Sequence, residues 1–224
     1  MSSRGGLLFD GSRPAGRSPG SPVPLGFLVS GRGSNLEAIL AAVERGELPA
    51  EPRLVLSDRA GVRALEVARA HGVPAQVLER REFPDREAYE RALAGRFLER
   101  GVELCAMAGF LRLVGTAFLE ALGGRVTNVH PSLLPAFPGL EAQRQALEYG
   151  VRVAGCTVHF VDEEMDHGPI ILQAAVPVLD EDTPESLADR ILREEHRIYP
   201  EAIRLYALDR LRIRGRRVLQ LPET

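Results

Sequence analysis

The sequence predicts an α/β fold: a doubly wound, mostly parallel sheet with antiparallel strands in its C-terminal half. Three observations predict it. From residue 25 to residue 130, short apolar runs alternate with segments of helical period, as in βα units that build a parallel sheet. The run "ELCAMAGF" is apolar without alternation, as in a strand buried on both faces. Later, "VAGCTVHFV" and "PIILQAAVPV" flank "DEEMDHG", which reads as two antiparallel strands and their loop.

Each element follows in order. Residues 1–24 are rich in Ser, Gly, Pro and Arg, with "LLF" as an apolar island. They are expected to be a disordered leader, or to precede a true start near Val23, with one domain over 25–224. "LGFLVS" is the first strand and runs into "GRGSN". The helix "LEAILAAVERG" follows, with Ser34 and Glu37 in capping-box spacing. "RLVLSD" and "AQVLE" are the next strands, separated by a helix that ends at "AHGVP". Asp85 to Arg100 is an amphipathic helix closed by Gly101. "ELCAMAGF", a short helix around Phe118 and the strand "RVTNVH" come next. After the antiparallel pair, a long helix opens at Thr183-Pro184, Thr as cap and Pro at the first position. It runs to Tyr199, and either ends at Pro200 or resumes after it.

Composition removes several chemistries. The 224 residues contain 28 Lys plus Arg, and every one of them is arginine. A Schiff-base lysine and a P-loop lysine are therefore excluded. The two cysteines, Cys105 and Cys156, sit in separate apolar runs and read as core residues. The formal charge of −3 offers no global attraction to nucleic acid or membrane. No apolar run approaches the ~18 residues of a membrane span. The chain thus reads as cytoplasmic.

Three stretches remain as sites. "SGRGSN" places a glycine-flanked turn before a helix N-terminus, where backbone N–H groups suit a phosphate. It reads equally as a tight turn, because Leu36 occupies the last glycine position of a dinucleotide motif. In "TNVHPSLLPAFPG", Asn128 and His130 lie two apart and project from one strand face. Pro131 keeps His130 extended. An amide and an imidazole side by side form a donor pair able to hold an oxyanion, or they are satisfied structural groups. In "VDEEMDHGPI", a calcium loop fails on its glycine position and on Gln173 in place of a bidentate Glu. That leaves an acidic turn or a single catalytic carboxylate at Asp166. No metal site is expected. His159 alternates beside Thr157 and faces the same cleft if the strand is regular.

Taken together, "SGRGSN", "AGFLR", "NVHPSLLPAFPG", "QALEYG", "GCTVHFVDEEMDHGPIILQ" and "EEHRIYP" resemble the phosphoribosylglycinamide formyltransferase family over Leu25 to Ile213. The resemblance implies a formyltransferase-like fold and formyl transfer from 10-formyltetrahydrofolate, a co-substrate and not a bound cofactor, to glycinamide ribonucleotide. It implies that Gly33, Ser34 and Asn35 hold the ribonucleotide phosphate, with Arg86 as counter-charge and Glu195 at the glycinamide end. Leu111, Arg112, Leu113 and Val114 would line the folate, with Asn128 and the acidic loop. Asn128, His130 and Asp166 would be catalytic, Asp166 keeping His130 charged. One departure stands out: the family often has Leu-His-Thr-His after the proline-glycine, and this chain has "LEAQ", with Glu141 replacing a histidine.

Two related activities fit less well. Methionyl-tRNA formyltransferase needs a further C-terminal domain, and formyltetrahydrofolate deformylase an N-terminal regulatory one. A nucleotide-binding module using only "SGRGSN" would leave Asn128, His130 and Asp166 without a shared purpose. The expected assembly is a monomer or homodimer.

Overall fold

The protein is described by a computed structural model that covers residues 10–222. Its strands are β1 (Val23–Val29), β2 (Ala50–Ser57), β3 (Ala75–Val77), β4 (Leu104–Met107), β5 (Val126–His130), β6 (Val153–Phe160), β7 (Ile170–Pro177), β8 (Leu211–Arg214) and β9 (Arg217–Gln220). They form one sheet in the order β3-β2-β1-β4-β5-β6-β7-β9-β8. The first five are parallel, and β6 and β7 run antiparallel to their predecessors. The expected mixed sheet is therefore present. The hairpin β8–β9 was not anticipated; β9 adds parallel to β7.

Helices α1 (Ser34–Glu44), α2 (Arg63–Ala70), α3 (Arg86–Glu99), α4 (Thr116–Ala121), α5 (Ala142–Tyr149) and α6 (Pro184–Ala207) cover the sheet. Alternation along β1 divides its side chains between two cores. Phe27 and Val29 pack with Leu36 and Ile39 of α1 and with Ile191 and Tyr199 of α6. Leu28 points the other way, into a cluster with Leu93 and Phe97 of α3 and Phe118 of α4. All of these are fully buried, so truncating Phe97 to Ala would cost about 3–5 kcal/mol. Gly26 makes that contact possible, because a Cβ there would stand 2.7 Å from the Phe97 ring.

Four local expectations change. Ser34 is not the cap of α1: Gly33 is, at φ 76°, and no side-chain cap bond forms. Glu37 pairs instead with Arg63 at 3.0 Å. Helix α6 passes through Pro200 without a break, running from Pro184 to Ala207. One lost N–H bond there is outweighed by the burial of Ile198, Tyr199, Ala202 and Ile203 around it. The short helix α5 was also not expected.

The leader divides in two. Residues 1–9 lie outside the described residues, but the segment from Asp10 packs onto the domain. Arg13 forks onto Glu103 at 2.7 and 2.9 Å, with side-chain exposures of 1% and 2%. Its remaining amino group reaches the Ser21 carbonyl at 2.7 Å, and Ile213 donates its N–H to the Asp10 carbonyl. A composition poor in apolar residues suggested disorder; a buried ion pair supplies the anchor instead.

Candidate active site

The two cores set the place of the site. Val126 closes the α3/α4 core, and Asn128 and His130, two and four residues on, share its face. There the helical layer ends and polar residues replace it. On the opposite face, Thr127 meets the Tyr199 hydroxyl of α6.

His130 is 5% exposed. Its Nε2 lies 2.8 Å from the Phe137 carbonyl, so that nitrogen carries a proton. Nδ1 faces Asp166 Oδ2 at 3.3 Å, longer than a formed charge-assisted bond of about 2.7–2.9 Å. Asp166, at φ 51°, also accepts the Gly139 N–H at 2.8 Å through Oδ2. The loop between β6 and β7 thus brings its carboxylate to both the imidazole and the proline-rich loop.

His159 completes the cluster. Opposite Asn128 in the β5–β6 register, it is buried, and burial holds its pKa below the ordinary 6.5 against the pull of Asp166. In the neutral ring, Nδ1–H donates to the Phe160 carbonyl at 2.8 Å, and Nε2 accepts from Asn128 Nδ2 at 3.4 Å. That acceptor decides which way the Asn128 amide turns. One amide hydrogen is spent on His159 and the other is left for a ligand oxygen.

A second patch lies at the N-terminus of α1. Gly33 is required there twice, by its positive φ and because a Cβ would meet the Ala64 backbone at 2.7 Å. This packing sets the first turns of α1 and α2 side by side, and the Ala64 N–H of α2 donates to the Gly31 carbonyl at 3.1 Å. Asn35 donates to Glu195 Oε2 of α6 at 2.7 Å. Burial raises the Glu195 carboxyl above its usual range, opposed by the Asn35 bond and by Arg32. Asn35 and Glu195, from α1 and α6, are thus in direct contact beside Gly33 and Ser34.

Arg86 does not join them. Its guanidinium bonds Glu90 at 2.6 Å and the Leu113 carbonyl at 3.3 Å, in the groove between α3 and α4. Its partners, Glu90 and Leu113, are not those of Gly33–Asn35, where it was expected to act. Along the 111–114 segment, Leu111 and Leu113 are exposed, whereas Val114 is buried. The segment is pinned from the strand ends: Leu111 N–H donates to Ser30 Oγ at 3.0 Å, and Arg112 pairs with the wholly buried Asp58 at 2.7 Å.

Glu141 also stands apart. Its carboxylate is 64% exposed and turns to Arg144 at 3.5 Å. Among the described residues, no group of three or more His, Cys, Asp or Glu could hold a metal. Both cysteines are free and buried, and burial pushes the Cys156 thiol up to about 12.

Sequence reasoning reached Asn128, His130, Asp166 and His159 but not the backbone groups that hold them. The Phe137 carbonyl and the Gly139 N–H are backbone groups, which no side-chain pattern signals. Asp58 carried one signal, a charged residue at a strand's carboxyl end.

The formyl transferase family profile matches residues 25–203. The chain is 43% identical over 176 residues to the phosphoribosylglycinamide formyltransferase of Bacillus subtilis (strain 168), covering 79% of this chain and 90% of that one. It is 46% identical over 187 residues to the trifunctional purine biosynthetic protein adenosine-3 of Drosophila pseudoobscura pseudoobscura. That match covers 83% of this chain but only 14% of the relative's length. The structure superposes on glycinamide ribonucleotide transformylase 1 from Symbiobacterium toebii with a TM-score of 0.89 and 57% identity, over 90% of this chain and 95% of that one.

Proposed function

This chain belongs to the formyl transferase family, and from that premise we propose that it formylates glycinamide ribonucleotide. The formyl group of 10-formyltetrahydrofolate passes to the ribonucleotide's primary amine, giving formylglycinamide ribonucleotide and tetrahydrofolate in purine biosynthesis. The observation that carries the reading is the convergence of Asn128, His130 and Asp166 from two separate segments. The enzyme is read as cytoplasmic, a monomer or homodimer, and as engaging neither nucleic acid nor membrane.

The amine lone pair attacks the formyl carbon, and the carbonyl electron pair moves onto oxygen. The free amide hydrogen of Asn128 and the Nδ1–H of His130 stabilise that oxyanion. The loose 3.3 Å separation from Asp166 supports a donor that can turn to substrate. Asp166 accepts the proton released by the attacking nitrogen. Asp166 passes that proton on to the folate nitrogen as its bond to carbon breaks, and the oxyanion collapses to the new amide.

The phosphate is assigned to the first turn of α1 at Gly33, Ser34 and Asn35, where the helix dipole favours an anion. Glu195 takes the glycinamide end, and Leu111, Arg112, Leu113 and Val114 with Asn128 take the folate. Because Arg86 bonds the Leu113 carbonyl, it is reassigned to the folate end. Formyl transfer between the two substrates is the test, with formylmethionyl-tRNA production measured alongside; transfer to the tRNA alone overturns the reading. Separate titrations of Arg86→Ala should show folate affinity roughly tenfold weaker and ribonucleotide affinity unchanged. The reverse pattern would return Arg86 to the phosphate.

A further inference from the structure

The loop between His130 and Gly139 touches both partners of the catalytic pair, through the Phe137 carbonyl and the Gly139 N–H. Its own anchorage lies on the neighbouring hairpin. Thr157 of β6 stands opposite His130 on one side and opposite Gln173 of β7 on the other. It is fully buried. Its hydroxyl donates to the Ser132 carbonyl at 2.7 Å and accepts from the Leu134 N–H at 3.0 Å and from Gln173 Nε2 at 2.9 Å. One donor and two acceptors exhaust what a hydroxyl can offer. The second Gln173 amide hydrogen goes to the Leu134 carbonyl at 3.0 Å. Both backbone groups of Leu134 are thus clasped from the hairpin.

We propose that Thr157 and Gln173 are positioning residues for formyl transfer, acting through the loop on His130. The chain of contacts is short. The clasp fixes 132–134, Ser132 Oγ bonds the Ala136 carbonyl at 2.5 Å, and the next carbonyl, Phe137, meets His130 Nε2. A carbonyl at that nitrogen forces its proton to stay, which leaves Nδ1 aimed at Asp166. Phe137 holds a positive φ of 53°, a conformation that a bulky residue adopts only under constraint. The clasp supplies that constraint from the N-terminal side. Gly155 lets Leu133 sit close, since a Cβ there would reach Leu133 Cδ2 at 2.8 Å.

This inference rests on the proposed activity, so its test pairs kinetics with a readout that needs none. Thr157→Val keeps the shape and removes all three hydrogen bonds, whereas Thr157→Ser keeps the hydroxyl. In Thr157→Val, kcat should fall roughly 10–100-fold with KM for both substrates nearly unchanged, and Ser should restore most of it. Gln173→Ala should lower kcat less, and the double variant should be no worse than Thr157→Val alone. Nitrogen NMR of the His130 ring, in protein without substrates, should show the hydrogen-bonded Nε2–H signal weakened in Thr157→Val but not in Thr157→Ser. Wild-type kcat and an unchanged His130 spectrum in a folded Val variant would overturn the proposal. So would a Ser variant as impaired as Val. If no variant transfers formyl groups but the His130 signal changes as described, the clasp stands and the proposed activity falls.

Discussion

Two buried pairings of a basic with an acidic side chain lie in different regions of this protein, and the difference between them separates scaffold from site. Arg13 and Glu103 form a closed pair: both carboxylate oxygens are engaged, and the spare amino group is taken up by Ser18, Ser21 and Ala207. His130 and Asp166 form an open pair, at 3.3 Å, with a second histidine at 4.0 Å. A closed network has no hydrogen-bonding capacity left for a ligand, so its worth is in fixing the fold. An open one is held in place by other groups and keeps a donor or acceptor free for a reacting atom.

Breaking the closed pair should give the largest effect on stability. Glu103→Ala leaves the Arg13 guanidinium buried and unpaired, at a cost of about 3–5 kcal/mol. Thermal unfolding should fall by roughly 6–20 °C, while kcat of the folded fraction is unchanged. A melting temperature within a degree or two of the parent would show that water replaces the pair at no cost. Truncation through Arg13 should act in the same direction, contrary to what the composition of the segment suggests.

Breaking the open pair should invert that pattern. His130→Ala and Asn128→Ala should each lower kcat by about 10²–10³, the loss of one oxyanion donor, about 2.7–4 kcal/mol. Melting temperature should hardly move. Steady-state kinetics decide it: a higher KM with kcat intact would make both residues binding groups instead.

A smaller effect concerns pH. His159 is held neutral, with a pKa depressed below 6.5, so the unfolded chain binds this proton first. Stability is therefore complete above that value and drains away as pH falls through the folded one. His159→Gln should remove this component, and the stability gap between the two proteins should narrow on acidification. Parallel loss in both would show that other groups govern the acid limb.

The smallest effect is expected at Glu141. Exposed and turned to Arg144, it lies outside both pairs, and Glu141→Gln should change kcat by less than about threefold, since exposed pairs are worth ~0–1 kcal/mol. Abolished transfer would put it on the proton path.

The sequence by itself determined the layered architecture, because helix and strand periods are local properties of the chain. It also determined that Asn128 and His130 project together, because strand geometry repeats every two residues whatever surrounds it. Gly33, Ser34 and Asn35 were legible for the same reason, as a turn feeding a helix. Tertiary structure decided what local pattern does not encode. Arg86 sits apart from Gly33–Asn35 because Glu90 and the Leu113 carbonyl hold it. Ser34 gave up its cap because the contact between Gly33 and Ala64 sets the entry to α1. Arg13 found Glu103 across 90 positions of chain, and His130 found Phe137 through a backbone carbonyl. Such pairings depend on how separate elements pack and on groups that every residue carries. No window of sequence contains them.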